Sequence, residues 1–155
     1  MSAADRIAAL DGLPAQELIL RTEQALALFV EAMSAETTLL RAGRMRESAP
    51  VTAEKSRLAQ DYVTLARSVQ RQAQRLQHEA PDPLARLRTG HERLATQMAE
   101  NLRVIATARM VTEDVLSDAA EIAGRTARTQ TYSAPGAAPR RDNEAARGIA
   151  VNRAL

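Results

Sequence analysis

Histidine, cysteine and clustered carboxylates are the residues most able to carry catalysis or bind a metal, and this sequence offers few of them. It has two histidines, His78 and His91, and no cysteine. His91-Glu92 begins like the helical motif of zinc proteases, but Ala95 stands where that motif needs its second histidine. Without cysteine, disulfides and thiolate metal sites are also excluded. We therefore predict no metal, no cofactor and no catalytic centre.

His91 could carry one other chemistry, because histidine phosphotransfer domains phosphorylate an exposed histidine on a bundle helix. Such sites have a basic residue and a glycine soon after the histidine. Here Glu92-Arg93-Leu94-Ala95 follows, with no glycine. His91 also falls on the apolar face of a predicted helix, where a partly buried structural histidine is the simpler interpretation. Phosphotransfer is kept as a weaker alternative.

Small-molecule chemistry has little support in the composition. The six glycines are scattered singly, so no phosphate-binding loop is present. One Phe, two Tyr and no Trp leave few side chains to line a ligand pocket. The sequence therefore favours a binding protein over an enzyme and predicts no small-molecule substrate.

Charge argues against nucleic acid as the partner. Arginines form ridges at 67, 71 and 75 and at 86, 93 and 103, and such ridges could follow phosphates if unpaired. Residues 1–123 carry 15 basic and 17 acidic side chains, whereas residues 124–155 carry 6 and 2. The acids are interleaved with the arginines, and no aromatic platform exists for base stacking. We predict no nucleic-acid binding.

Targeting signals are missing from the sequence as given. No uninterrupted apolar run approaches the roughly 20 residues of a membrane span. The first ten residues include Asp5 and Arg6 and lack the apolar centre of a secretion signal. A cytoplasmic protein without membrane insertion is the expectation.

Three helices are predicted from apolar periodicity. The first, at about 15–42, begins after Pro14 and is closed by Gly43. The second, at about 50–79, lies between Pro50 and Pro81 and has the clearest pattern, a heptad seam. The third covers about 82–127. The seam of the second helix consists of Val51, Lys55, Leu58, Tyr62, Leu65, Val69, Gln72 and Leu76.

These helices predict an all-α fold, an elongated antiparallel three-helix bundle or coiled coil with a long third helix. Short connections between consecutive helices favour an up-down-up arrangement. We assign residues 1–128 to the bundle and 129–155 to a flexible, basic, disordered tail rich in Arg, Ala and Pro. Lys55, in the seam of the second helix, is interpreted as structural, with its ammonium reaching water.

The third helix is longer than its companions, and its last part has no partner within the predicted bundle. An apolar stripe left in water is costly, at about 25 cal/mol per Å² that a partner could cover. Three occupants are open: an amphipathic helix of a partner, a second copy of the chain, or the tail folded back. The stripe consists of Val111, Val115, Leu116, Ala119 and Ile122.

Several segments, in order, resemble the FlgN type of flagellar export chaperones. The first helix carries the run 25–31, ALALFVE, and ends in 36–43, ETTLLRAG. The second helix carries a Lys-x-x-Leu element at Lys55 and Leu58, and the segment 128–136, RTQTYSAPG, follows the third. The resemblance covers about residues 15–136. The arginine-containing tail from Arg140 to Leu155 has no counterpart in it.

This resemblance implies a cytoplasmic chaperone that consumes no ATP. It would bind the C-terminal helical segments of hook-filament junction proteins, also called hook-associated proteins, and deliver them to the export apparatus. The late part of the third helix would bind the substrate, and Tyr132 would contact the flagellar export gate. A homodimeric regulator or adaptor of flagellar assembly built on the same bundle is the alternative function.

Overall fold

The computed structural model describes residues 3–132, with side chains described from residue 5 to residue 126. This part of the chain is helical, as predicted. It consists of α1 (Ala3–Asp11), α2 (Ala15–Arg41), α3 (Met45–Arg71), α4 (Ala73–Glu79) and α5 (Pro81–Tyr132). Contacts divide the chain into two units, one up to Val115 and one from Leu116 onward, and α5 contributes to both.

The first unit contains an antiparallel three-helix bundle, which confirms the predicted fold class. The ring of Tyr62 on α3 stacks with the ring of Phe29 on α2, and Thr52 of α3 donates a hydrogen bond to Glu36 of α2. Because the later residue of one helix meets the earlier residue of the other, these two helices run in opposite directions. Tyr62 also meets His91 of α5. Lys55 bonds to Asn101, so α3 and α5 are antiparallel as well. The order is therefore up-down-up.

The core lies between α2, α3, α4 and the first part of α5. Leu58, Tyr62 and Leu76 of the predicted seam are buried in it, as the heptad pattern of the second helix indicated. The buried aliphatic residues with the least exposure are Leu18, Ile19, Leu76 and Leu84, joined by Met33, Leu87 and Leu94. Phe29 and Tyr62 fill the middle of the bundle.

The predicted end of the first helix is confirmed at Gly43. This glycine has φ 71°, the left-handed conformation that favours glycine. Its N–H donates to the carbonyl of Leu40 at 3.0 Å, and the N–H of Arg44 donates to that of Leu39 at 2.9 Å. These two bonds are the Schellman pattern, which satisfies the carbonyls at a helix end.

The second helix departs from the predicted bounds in two places. It begins at Met45 and includes Pro50, which lacks the backbone donor for the carbonyl of Arg46. It also ends at Arg71, and α4 begins after Gln72. The carboxylate of Asp11 accepts hydrogen bonds from Ser68 at 2.6 Å and from Gln72 at 3.2 Å, which holds the break.

The helices at the two ends of the described chain also differ from the prediction. The helix α1 was not predicted, although its Asp11 bonds to the side chains of Ser68 and Gln72 beside the break in the second helix. At the other end, α5 continues to Tyr132 rather than to about residue 127. Of the predicted tail, residues 129–132 therefore belong to α5, while residues 133–155 lie outside the described part of the chain.

Candidate functional site

The candidate binding surface is the apolar stripe predicted on the last helix, which we call the α5 strip: Val111, Val115, Leu116, Ala119 and Ile122. All five side chains are exposed, and the four larger ones are 53 to 64% exposed. Val111 and Val115 belong to the first unit, whereas Leu116, Ala119 and Ile122 belong to the second. Tyr132 is the last residue of α5, and its side chain lies outside the described residues.

The exposure of α5 changes at one position. Leu94, Asn101 and Ala108 face the bundle and are buried. From Arg109 to Thr126 every side chain is exposed. Arg41, the last residue of α2, is ion-paired with Glu100 of α5, and α5 continues in sequence beyond this pair. Apolar side chains on the extension remain in contact with water, at a cost that scales with their area.

Charged side chains lie among the apolar residues on this part of α5. Residues 109–126 include two arginines and four acids, Glu113, Asp114, Asp118 and Glu121. Arg109 bonds to Glu113 at 2.8 Å, and Arg125 approaches Glu121 at 3.6 Å. Asp114 and Asp118 form no ion pair among the described residues. The surface is therefore amphipathic, with an acidic flank free to meet a cationic group.

A buried polar cluster lies in the bundle, on the near side of this extension. The carboxylate of Glu36 is 1% exposed and is ion-paired with Lys55. Asn101 donates to Glu36 Oε2 at 2.7 Å, and Thr52 donates to Oε1 at 2.6 Å. Burial raises the pKa of Glu36, but the hydrogen bonds from Lys55, Thr52 and Asn101 outweigh it and the pKa is lowered. The cluster thus joins Glu36 of α2, Thr52 and Lys55 of α3 and Asn101 of α5.

Lys55 therefore has a different structural role from the predicted one. Its side chain is 15% exposed, and its ammonium bonds to Glu36 and, at 3.0 Å, to Asn101 rather than extending to water. Every charged group in the cluster has a partner. Because the charged groups of this buried cluster are paired with one another, we interpret the cluster as structural.

His91 is exposed rather than partly buried. Its Nδ1 lies 2.6 Å from the hydroxyl of Tyr62, within hydrogen-bonding distance, and the two rings are 6.2 Å apart. The Tyr62 ring is buried, and this burial raises the pKa of its phenol. His91 thus anchors a core tyrosine through one nitrogen. Among the described residues, no group of three or more His, Cys, Asp or Glu side chains is arranged to hold a metal ion.

Sequence reasoning missed a cavity of about 490 Å³ between α3 and α5. Buried Tyr62, Leu84 and Leu87 form its floor, and exposed Val63 forms part of its wall. The signal was present on the second helix, where Val63, Ala66 and Gln70 repeat at heptad spacing next to the recognised seam. We call this cavity and its walls the α3/α5 groove.

No helix in the described range 3–132 has an apolar stretch of the length and purity that a bilayer crossing requires.

Comparison with known proteins adds no relative. No protein-family model matches the chain, and neither the curated proteins nor the solved structures contain a significant match.

Proposed function

We propose that this protein is a non-catalytic escort protein whose α5 strip binds an amphipathic helix of a partner. The observation that supports this function is the exposure of Val111, Val115, Leu116 and Ile122 on the helix that extends past the bundle. A soluble helix normally turns such a face toward a core. An uncovered face at helical spacing is the surface on which helix-in-groove recognition is built.

The resemblance to FlgN-type chaperones makes the proposal specific. The partner would be the C-terminal helical segment of a hook-filament junction protein, held unassembled in the cytoplasm and delivered to the flagellar export apparatus. Tyr132 would then contact the export gate. The protein itself would need neither ATP nor a cofactor, because holding an apolar helix requires only surface complementarity.

The test is a binding titration with the C-terminal segment of a junction protein, followed by light scattering of the complex. We expect a 1:1 complex. The double variant Val115→Glu/Ile122→Glu should weaken binding by at least about tenfold, since fully burying one aliphatic side chain is worth about 1.5–3 kcal/mol. Charged side chains at these positions would remain solvated instead.

A matched control is available on α2, where Leu20 and Leu28 are also more than half exposed. Leu20→Glu/Leu28→Glu changes the same number of exposed aliphatic residues to carboxylates, away from the α5 strip. Binding should be retained. Equal loss in both variants would indicate a nonspecific apolar contact, and retention of binding by Val115→Glu/Ile122→Glu would contradict the proposed site.

A further inference from the structure

The α3/α5 groove has the dimensions and lining of a binding cleft. Its volume of about 490 Å³ lies within the range of about 300–1,000 Å³ for ligand clefts. The buried residues Tyr62, Leu84 and Leu87 provide an apolar floor. Farther along α5, the apolar side chains of Met98 and Leu102 are exposed.

The walls of the groove have the spacing of a helix-packing surface. Each wall repeats at intervals of four and three residues, the heptad pattern that accepts a neighbouring helix. Most side chains of the row on α3 are small, and most side chains of the row on α5 are larger. The row on α3 is Ala59, Val63, Ala66 and Gln70, continued by Ala73 at the start of α4, and the row on α5 is Leu84, Arg88, His91, Ala95, Met98 and Leu102. Two such rows side by side define the position of a fourth helix.

The rim of the groove is cationic. Arg67 on α3 and Arg88 on α5 line the cavity and are exposed. Neither forms an ion pair with another described residue. Glu92 is the one acid in the lining, so two guanidinium groups face one carboxylate. An incoming helix with acids along one flank is therefore favoured over a basic one.

The extension of α5 is a helix of this kind, with apolar residues on one face and acids along the flank of that face. Val111 and Val115 are four residues apart and lie on one face of the helix. Asp114 and Asp118 have the same spacing one row away, and both carboxylates lack an ion pair among the described residues. When the valines enter an apolar groove, these acids lie at its rim, where Arg67 and Arg88 are available.

We propose that the α5 extension of one copy of this protein occupies the α3/α5 groove of a second copy. The chain cannot fill its own groove in this way. Glu92 and Val111 are part of the same helix, and at about 1.5 Å per residue they lie roughly 28 Å apart. Only a second molecule brings Asp114 to Arg88 without breaking α5. The basic segment 140–155, with four arginines and two acids, has the wrong charge for this rim.

This association has a consequence for binding that rests on the proposed function. The second copy and the partner helix cover the same α5 strip, so they compete for it. Self-association then shields the apolar side chains until a partner displaces the second copy. The association itself does not require the partner, and it is measured without one.

The experiment is sedimentation velocity on the full chain over a range of concentrations. The wild-type protein should self-associate. The variants Arg67→Glu/Arg88→Glu and Asp114→Arg/Asp118→Arg should each weaken association by at least about tenfold, because each places like charges across the contact. An equimolar mixture of the two variants should associate again, since every groove then meets an extension of opposite charge.

Single reversals on exposed faces away from the groove, Arg6→Glu and Glu31→Arg, are the controls and should leave association unchanged. Circular dichroism verifies that each variant remains helical. A wild-type chain that stays monomeric at every concentration would overturn the proposal. So would a mixture of the two charge-reversed variants that fails to associate. Neither result bears on binding of the junction-protein segment, which is titrated separately.

Discussion

The Nζ of Lys55 on α3 lies 3.0 Å from the Oδ1 of Asn101 on α5 and donates a hydrogen bond to it. The same ammonium is ion-paired with Glu36 on α2. Three helices thus meet through one nearly buried lysine. Because Glu36 and Asn101 are buried, neither has water to replace Lys55 if that side chain is lost.

Lys55→Met should therefore destabilise the bundle by about 3 kcal/mol, since removing one partner leaves an unpaired buried carboxylate. Urea unfolding followed by circular dichroism measures the change. Arg57→Ala is the control on the same helix, because its ion pairs with Glu54 and Asp61 are exposed, and exposed pairs are worth about 0–1 kcal/mol. Equal effects of the two variants would contradict the role assigned to Lys55.

Removing both charges should lower the free energy of unfolding less than removing one of them. Glu36→Gln/Lys55→Met deletes the buried carboxylate together with its cation, so we expect it to recover a measurable part of the stability lost in Lys55→Met. The comparison is a double-mutant cycle from urea unfolding. Additive losses in the cycle would show that the two side chains do not act as a pair.

Stability should fall in acid partly through Glu36. Its pKa is lowered in the folded protein, so its contribution is present above the ordinary glutamate pKa of 4.5 and is lost as the pH falls through the folded value. The free energy of unfolding, measured between pH 7 and pH 3, should depend less on pH in Glu36→Gln. An unchanged slope below about pH 4.5 would contradict this assignment.

Asp11 should determine whether α1 stays attached. Hydrogen bonds from Arg71 and Ser68 lower the pKa of its carboxyl, and they join α1 to the break between α3 and α4. In Asp11→Ala, we expect faster amide hydrogen exchange in α1 and around Gln72, with little change near Tyr62. Exchange that stays as slow as in the wild type would show that other contacts hold α1.

The parts of the fold that depend on local periodicity were predictable. The seam from Val51 to Val69, the exit at Gly43 and the length of α5 follow from spacing within one helix, and spacing is visible in a sequence. The break at Gln72 was not predictable, because it depends on Asp11, which is distant in the chain. Neither was the partnership of Lys55 with Glu36, for the same reason.

The candidate site also has features that were predictable from the sequence and features that were not. Exposure of Val115 and Ile122 follows from helix lengths, since α2 and α3 are too short to cover the end of α5. The α3/α5 groove depends on how closely two antiparallel helices approach each other, which periodicity does not reveal. His91 was expected to be partly buried, but it is exposed, with its Nδ1 at 2.6 Å from the hydroxyl of the buried Tyr62.

The central claim is that the extension of α5 binds the partner helix. Hydrogen exchange on the full chain, with and without the C-terminal segment of a junction protein, tests it most directly. The account predicts new protection of backbone amides between Arg109 and Thr126, and no change around Leu20 and Leu28. A complex that protects α2 and leaves residues 109–126 exchanging as in the free protein would contradict it.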